Sequence, residues 1–409
     1  MANVSSSNGL EKYPKLRFPG FGEPIQAKKL SRYLIENTDR NKALKYDKSD
    51  VLSVSGEFGI VNQIAFQGRS FAGESVAEYH IVETDDIVYT KSPLKANPYG
   101  IIKVNNGNPG IVSTLYAVYH PIDVIPQYID YYFCNDLRLN KYLKPLVNIG
   151  AKHDMKVNNA AVLFGDVYFP NATEQSKIVE FLQILDYRIK KQRALVESLK
   201  KYKRGVIRTL LTPEYCKFKD AKWTSARIGD LGSFIKGAPL SKADIADEGT
   251  PFILYGELYT TYNEVITQIV RKTKANVEQQ YFSQIGDVII PTSGETPEEI
   301  STASCVMVPG VILGGDLNIF RCSKVDGRII SYILNHVVSR NIARIAQGKS
   351  VVHVQANELA KIEIAYPDFK TQENMVTLFE AINAKIAQRT KELELLLEQR
   401  RALLQQVFI

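Results

Sequence analysis

Several features that would point to a function directly are scarce in this chain of 409 residues. Its four cysteines, Cys134, Cys216, Cys305 and Cys322, include no C-x-x-C pair, which argues against a zinc site and against a disulfide framework. No stretch approaches the roughly 18 consecutive apolar residues of a transmembrane helix. The first residues lack the basic and apolar blocks of a signal peptide. We therefore expect a cytoplasmic protein with reduced thiols and no membrane partner.

Two short matches to enzyme motifs lack the context that their chemistry needs. Residues 18–22 fit the F-x-G-x-G pattern of a cofactor loop, but no strand pattern precedes them and a proline lies inside. Residues 343–350 end in Gly-Lys-Ser, as a phosphate-binding loop does, but Ala343 replaces the first glycine of that loop. The five histidines do not cluster either. The sequence therefore predicts no catalytic residue, no metal ion and no cofactor in this chain.

Length and composition indicate an ordinary globular protein. A chain of 409 residues is expected to form two or three domains. Hydrophobic residues make up 45% of it and charged residues 23%, as in folded proteins. The net charge of +7 permits nucleic acid as a partner but does not establish it.

The chain contains an internal duplication. Residues 167–170, Val-Tyr-Phe-Pro, are followed by Gln175, and residues 364–367, Ile-Ala-Tyr-Pro, are followed by Gln372. Both the prolines and the glutamines are separated by 197 residues. After each proline, apolar residues recur at alternating steps of four and three, which predicts a long helix in each copy.

A period of 3.5 residues is the signature of helices that coil around one another. The apolar positions of this seam are Ile178, Leu182, Leu185, Ile189, Val196, Leu199, Met375, Phe379, Ile382, Ile386, Leu393 and Leu396. Two polar seam positions also recur, and a pairing of Gln192 with Arg389, or of Lys203 with Arg400, would fix orientation and register. We expect two long antiparallel coiled-coil helices. The alternative is that each helix packs separately on its own globular domain.

The apolar stripe is wider than a two-helix seam requires. Phe181, Leu195 and Tyr202 flank it in the first helix. Such extra positions predict further contacts, either with the globular domains or with helices of another protein.

Two globular modules precede the helices. Residues 1–166 and 214–363 each show short β-type runs between turn residues, together with helical stretches. The helical segments occupy residues 167–213 and 364–409. The predicted fold class is α+β, with two tandem globular domains separated by long helices in an internal duplication.

The order module, helix, module, helix resembles the specificity subunit of type I restriction-modification systems. The opening Pro-Lys-Leu-Arg-Phe-Pro-Gly-Phe of residues 14–21 resembles the N-terminus common in that family. Residues 59–61, 89–92 and 112–116 resemble one recurrent type of target recognition domain, and residues 237–242, 255–262 and 292–295 resemble another. The two helical segments are similar to the central and distal conserved regions, so the resemblance covers the whole chain.

The resemblance implies a non-catalytic subunit that binds double-stranded DNA. Residues 1–166 and 214–363 would each be a target recognition domain that reads one half of a bipartite site. The helices would set the spacing between the domains and dock two modification subunits. Those subunits use S-adenosylmethionine to methylate adenine, and restriction subunits that use ATP and Mg add DNA cleavage.

Base reading needs polar side chains on loops, with Lys and Arg on phosphates. The DNA-binding candidates are Arg69, Thr90, Lys91, Ser92, Lys95, Asn97, Lys242, Tyr255, Tyr259, Tyr262, Thr292, Ser293 and Glu295. Residues 174–212 carry ten basic and four acidic residues, so this one helix holds a surplus of six positive charges. Its basic face is either a solvated surface or a contact with spacer phosphates or an acidic partner.

Two other functions stay open at this point. A fused DNA methyltransferase would transfer methyl groups by itself, but the sequence lacks the expected cofactor loop. A structural coiled-coil adaptor would not protect DNA selectively, even with modification subunits present.

Overall fold

The computed structural model describes residues 11–149, 155, 156, 158–348 and 351–409. Lys349 and Ser350, the end of the Gly-Lys-Ser sequence, lie outside the described residues. The chain divides into two compact units: unit 1 comprises Met1–Gln192 and Glu392–Ile409, and unit 2 comprises Arg193–Lys391. The domain boundaries given above stay predictions, since this division falls inside the long helices.

The two long helices span Ala172–Leu210 and Phe369–Gln406; we call them the first and the second arm helix. Each begins after a proline with a capped first turn. The side chain of Asn171 accepts a hydrogen bond from the backbone N–H of Glu174 at 3.0 Å, and Asp368 accepts one from Thr371 at 3.1 Å. These bonds satisfy amides that have no partner inside the helix.

Unit 1 is built on an antiparallel sheet. Its four strands lie in the order Leu34–Asn37, Tyr116–Pro121, Ile87–Thr90 and Ile102–Val104. Its described residues also form five two-stranded pairs: Glu11–Lys12 with Ile25–Gln26, Lys28–Lys29 with Asp166–Val167, Leu52–Ser55 with Gly59–Asn62, His80–Val82 with Gly110–Val112, and Asn148–Ile149 with Met155–Lys156.

The described residues of unit 1 contain three short helices besides its parts of the arm helices. They are Gln63–Gln67, Pro126–Phe133 and Asp136–Leu143, with 3-10 turns at Leu30–Arg32, Lys48–Asp50 and Asn159–Phe164. Ile178 and Leu182 of the first arm helix share a core with Leu404 and Val407 from the end of the second. An N-terminal proline starts the helix Pro126–Phe133, where its missing N–H costs nothing.

Unit 2 has two larger sheets. The strands of the first lie in the order Gly232–Lys236, Leu317–Cys322, Asp287–Pro291, Ser304–Val306 and Val265–Ile266. Those of the second lie in the order Arg271–Thr273, Thr250–Ile253 and Ile312–Leu313. Two further pairs join Trp223–Arg227 to Glu363–Pro367 and Ser293–Gly294 to Val352–His353.

The short helices of unit 2 are Ile228–Leu231, Glu257–Thr260, Pro297–Ile300, Gly327–His336, Ser339–Ile345 and Ala356–Ala360, and its 3-10 turns are Pro213–Tyr215, Lys242–Asp244 and Gln279–Tyr281. Ile207 and Leu210 near the end of the first arm helix share a core with Met375 and Phe379 near the start of the second. In each unit, the start of one arm helix thus packs with the end of the other. The arm helices run antiparallel.

The duplication extends from the arm helices into the sheets. In unit 1 the last long strand, Tyr116–Pro121, lies between Leu34–Asn37 and Ile87–Thr90. In unit 2 Leu317–Cys322 lies between Gly232–Lys236 and Asp287–Pro291 in the same way. A helix follows this strand in both units, and a strand pair then leads into the arm helix. Both units are mixed helix and strand, which confirms the predicted α+β class.

Three of the polar seam residues have carboxylate partners. Lys203 donates to Glu264 at 2.6 Å, and Arg400 binds the carboxylate of Asp186. Gln192 donates to Glu392 at 3.0 Å. The predicted pairing of Lys203 with Arg400 is therefore wrong, because a carboxylate is the better partner for each cation.

Candidate DNA-reading surfaces

The loop that follows strand Ile87–Thr90 in unit 1 is held by its own backbone. Residues 94 and 97 exchange two backbone hydrogen bonds, at 3.0 and 3.1 Å, and the hydroxyl of Tyr89 donates to the carbonyl oxygen of Tyr99 at 2.6 Å. Gly100 has a φ of +89°, and a Cβ there would lie 2.0 Å from the carbonyl oxygen of Thr90. Only glycine fits this position, so the loop has one well-defined path.

Two of the residues predicted to contact DNA here, Thr90 and Asn97, are buried. The hydroxyl of Thr90 accepts a hydrogen bond from the backbone N–H of Ile101 at 2.9 Å. The amide of Asn97 donates to Asp136 at 2.9 Å. Both side chains shape the loop, and neither is available to a base edge.

The remaining candidates of the loop are accessible. Ser92 and Lys95 are exposed, and Lys91 is half-buried. The amino group of Lys91 donates to the side-chain oxygen of Asn159 at 3.1 Å. Burial lowers the pKa of Lys91, and the nearby carboxylate of Glu36 opposes that shift. Lys91 is thus a positioned cation, whereas Lys95 is a solvated one.

In unit 2, the loop after strand Asp287–Pro291 is pinned by a neighbouring strand. The backbone N–H of Thr292 donates to Asp316 at 2.7 Å, and its carbonyl oxygen accepts from Val354 at 3.0 Å. The hydroxyl of Ser293 lies 3.1 Å from Nδ1 of His353. Thr292 and Ser293 are therefore half-buried and ordered, while Glu295 is exposed.

The three predicted tyrosines of unit 2 lie beside one another in the chain but have different surroundings. The rings of Tyr255 and Tyr259 meet edge to face with centroids 6.3 Å apart. The hydroxyl of Tyr262 instead accepts the backbone N–H of Val270 at 3.1 Å. Burial raises the pKa of Tyr259 to about 12, and the charges of Tyr255, Glu299 and Glu295 add to this shift. Tyr259 and Glu295 are thus electrostatic neighbours, so the structure brings the tyrosine segment near the loop at 292–295.

The two isolated basic candidates lie on separate elements. Arg69 is exposed, follows the helix Gln63–Gln67 and covers the ring of Phe71 at 4.6 Å. Lys242 is exposed in a 3-10 turn that Ser241 caps. Both remain available to phosphates.

Two residues at these loops were not predicted from the sequence. Asn159 links Lys91 to Glu36, to which its amide donates at 2.7 Å. His353 is exposed and pairs with Ser293. A lone asparagine or histidine carries no sequence signal, because its role depends on which distant strand lies beside it.

The seam residues of the arm helices turn inward. Seven of them are buried: Ile178, Leu182, Ile189, Val196, Met375, Phe379 and Leu396. The other five are half-buried: Leu185, Leu199, Ile382, Ile386 and Leu393.

Within the described residues, no helix is long and apolar enough to cross a membrane. That same part of the chain holds no group of three or more His, Cys, Asp or Glu side chains arranged for a metal ion.

Comparison with known proteins gives a family for the second half of the chain. Residues 220–398 match the family model described as the type I restriction modification DNA specificity domain. This part of the chain is therefore similar to a DNA specificity domain of type I restriction-modification systems. This confirms the resemblance seen in the sequence.

The fold around the specificity domain is also known from solved structures. The S subunit of a type I restriction-modification system from M. genitalium is 13% identical, with a TM-score of 0.56, and the alignment covers 97% of this chain and 99% of that one. A chain from a study titled as the structural basis of complex assembly and conformational transition of the type I R-M system is 15% identical, with a TM-score of 0.59 and the same coverage. No curated protein matches the sequence.

Proposed function

We propose that the whole chain is the specificity subunit of a type I restriction-modification complex, and that each unit reads one half of a bipartite double-stranded DNA site. The match of residues 220–398 to the DNA specificity domain carries this proposal. The repeated strand order extends it to unit 1, because two copies of one fold give two reading modules. A coiled-coil adaptor without DNA recognition is not favoured, since the matched family is one of DNA specificity.

The accessible loop residues would make the DNA contacts. In unit 1 these are Lys91, Ser92, Lys95 and Arg69, which combine donors for base edges with cations for phosphates. In unit 2 the exposed carboxylate of Glu295 would accept from a cytosine amino group, and Lys242 would bind a phosphate. Thr292, Ser293 and the tyrosines would support this surface.

The arm helices would dock two modification subunits. In unit 1, Ile184 and Tyr187 of the first arm helix are 62% and 61% exposed, although both are large and apolar. Lys191 lies over the ring of Tyr187 at 5.2 Å, so the face is apolar and basic together. Exposed apolar side chains that follow a helix are typical of a surface that another protein covers.

The chain would be non-catalytic and would bind no cofactor of its own. S-adenosylmethionine would belong to the modification subunits, and ATP and Mg to restriction subunits. The chain would contribute recognition and geometry, and its partners would contribute the methylation of adenine and the cleavage of DNA.

An exchange of modules tests the proposal. Residues 214–363 are replaced by the corresponding module of another specificity subunit, and methylated adenines are mapped across a genome with modification subunits present. We expect one half of the methylated sequence to change and the other half to stay. A change in both halves would contradict modular reading. Methyl transfer by the purified chain alone would contradict the non-catalytic assignment.

A further inference from the structure

A buried glutamine joins each module to its arm helix by hydrogen bonds. The side-chain oxygen of Gln175 accepts the backbone N–H of Ile125 at 3.0 Å, and its amide donates to the carbonyl oxygen of Pro170 at 2.8 Å. Ile125 is the residue before the module helix Pro126–Phe133, so Gln175 joins the start of that helix to the start of the first arm helix. Only 1% of its surface is exposed.

Unit 2 repeats this arrangement with different neighbours. Gln372 accepts the backbone N–H of Asp326 at 2.9 Å and donates to the carbonyl oxygen of Pro367 at 2.7 Å. Asp326 caps the module helix Gly327–His336, and Gln372 is also 1% exposed. The primary amide of glutamine carries an acceptor oxygen and N–H donors in one plane, so it can make both contacts at once.

A tyrosine makes a second attachment further along each arm helix. The hydroxyl of Tyr131 donates to Asp186 at 2.9 Å, and the hydroxyl of Tyr332 accepts from Asn383 at 3.0 Å. The arm residue lies eleven positions after the glutamine in both units, about 16 Å along the helix. Two hydrogen-bonded contacts at different places along one helix fix the orientation of the module relative to that helix. A single contact would let the module rotate about it.

We propose that Gln175 and Gln372 are positioning residues for DNA reading, which hold each recognition module at a set angle to its arm helix and so make the complex selective for the distance between the two half-sites. The inference rests on the proposed function. Removal of a glutamine leaves the tyrosine and the apolar core, with Met375 and Phe379 in unit 2, to hold the module. The module would then stay folded but turn more freely.

The test uses the full chain in complex with its modification subunits. Gln372→Met keeps the length of the side chain and removes both hydrogen bonds. Binding is measured to duplexes whose spacer is the native length or one base pair longer or shorter. Because the module is then held less firmly at one angle, we expect the preference for the native spacer to fall by about tenfold. Gln175→Met should do the same through the other half-site.

A merely structural role predicts a different result. If Gln372→Met weakens binding to all spacers equally, the positioning role is overturned. If Gln372→Met does not fold, Tyr332→Phe is tested instead, because it removes only the hydroxyl that accepts from Asn383. A weaker preference for the native spacer then supports the positioning role, and an unchanged preference overturns it. Sequence-selective binding by the wild-type complex is the separate control, because its absence would overturn the proposed function instead.

Discussion

The two units use equivalent cations of the arm helices for different attachments. Lys203 of the first arm helix and Arg400 of the second are related by the 197-residue repeat. In unit 2, Lys203 binds Glu264, a residue of the module. In unit 1, Arg400 binds Asp186, a residue of the other arm helix. Thus an equivalent cation ties the arm to its module in unit 2 and ties one arm helix to the other in unit 1.

The residue four positions after the proline that precedes each arm helix also differs between the two units. In unit 1 it is Glu174, which is buried and accepts two hydrogen bonds of 2.7 Å from Arg17. In unit 2 it is Thr371, which is satisfied by the local cap Asp368. Unit 1 therefore depends on a distant N-terminal segment for a contact that unit 2 makes within its own helix start. The duplicated units thus satisfy the equivalent position at the start of each arm helix with different hydrogen-bond partners.

The largest expected effect comes from Arg17. Arg17→Met leaves the buried carboxylate of Glu174 without its cation, which costs about 3–5 kcal/mol. We expect amide hydrogen exchange to accelerate throughout unit 1 and to stay unchanged in unit 2. Thr371→Val at the equivalent place is the matched control and should have a smaller, local effect. Equal acceleration in both units would show that they do not unfold separately.

The second-largest expected effect comes from the buried carboxylate of Glu264 in unit 2. Burial raises the pKa of Glu264, but hydrogen bonds from His336 and Lys203 outweigh it and lower that pKa from 4.5 to about 2. The pKa of the folded state is below that of the unfolded state, so this carboxylate stabilises unit 2 above about pH 4.5 and the contribution is lost as the pH falls towards 2. The shift corresponds to about 3 kcal/mol.

This prediction is checked with Glu264→Gln. Hydrogen exchange in unit 2 should become faster at pH 6, and the difference from the wild type should shrink as the pH falls below 4. Glu197→Gln, at an exposed surface ion pair, serves as the control. A difference that stays constant with pH would mean that the charge of Glu264 does not stabilise the unit.

A smaller effect is expected from Arg400→Lys. The guanidinium donates through Nε and Nη2 to the two oxygens of Asp186, and an ammonium cannot reproduce this paired geometry. The loss should be about 1 kcal/mol in unit 1. Lys203→Arg should gain nothing in return, because the pocket around Glu264 also holds His336. A gain in unit 2 would indicate that the two attachments are interchangeable.

The smallest effect concerns the charge of the arm helices. The first carries the positive surplus, whereas residues 371–409 contain five basic and five acidic residues. If the basic face meets spacer phosphates, replacement of Lys190, Lys191 and Arg193 by glutamine should flatten the salt dependence of DNA binding by about 0.9 per lost contact. The equivalent change at Lys385, Lys391 and Arg401 should leave the slope as it is. An unchanged slope in the first triple would contradict phosphate contact.

The sequence was informative where a pattern is local. Alternating steps of four and three predict both arm helices, and the recurring proline and glutamine indicate where they begin. The repeat in the sheets was harder to see, because equivalent strands such as Tyr116–Pro121 and Leu317–Cys322 are 201 residues apart, whereas the arm helices are 197 apart. An offset that changes within the chain hides a repeat whose strands are only a few residues long.

Side-chain roles in the loops depended on distant residues. Thr90 and Asn97 look like base-reading residues because they are polar and follow a strand, but their partners Ile101 and Asp136 bury them. In the same way, nothing near Lys203 in the chain indicates Glu264, which is 61 residues away. Loop position predicts exposure on average, and the pairing of separate strands decides it for each residue.

The division of the chain has a consequence for synthesis on the ribosome. Unit 2 is one continuous stretch, Arg193–Lys391, so every part of it is available once that stretch has been made. Unit 1 needs Glu392–Ile409, and the carbonyl oxygen of Gln406 accepts the backbone N–H of Leu16 at 3.0 Å. The core of the first module can therefore close only after residues 392–409 have also been made. The module made first is completed last.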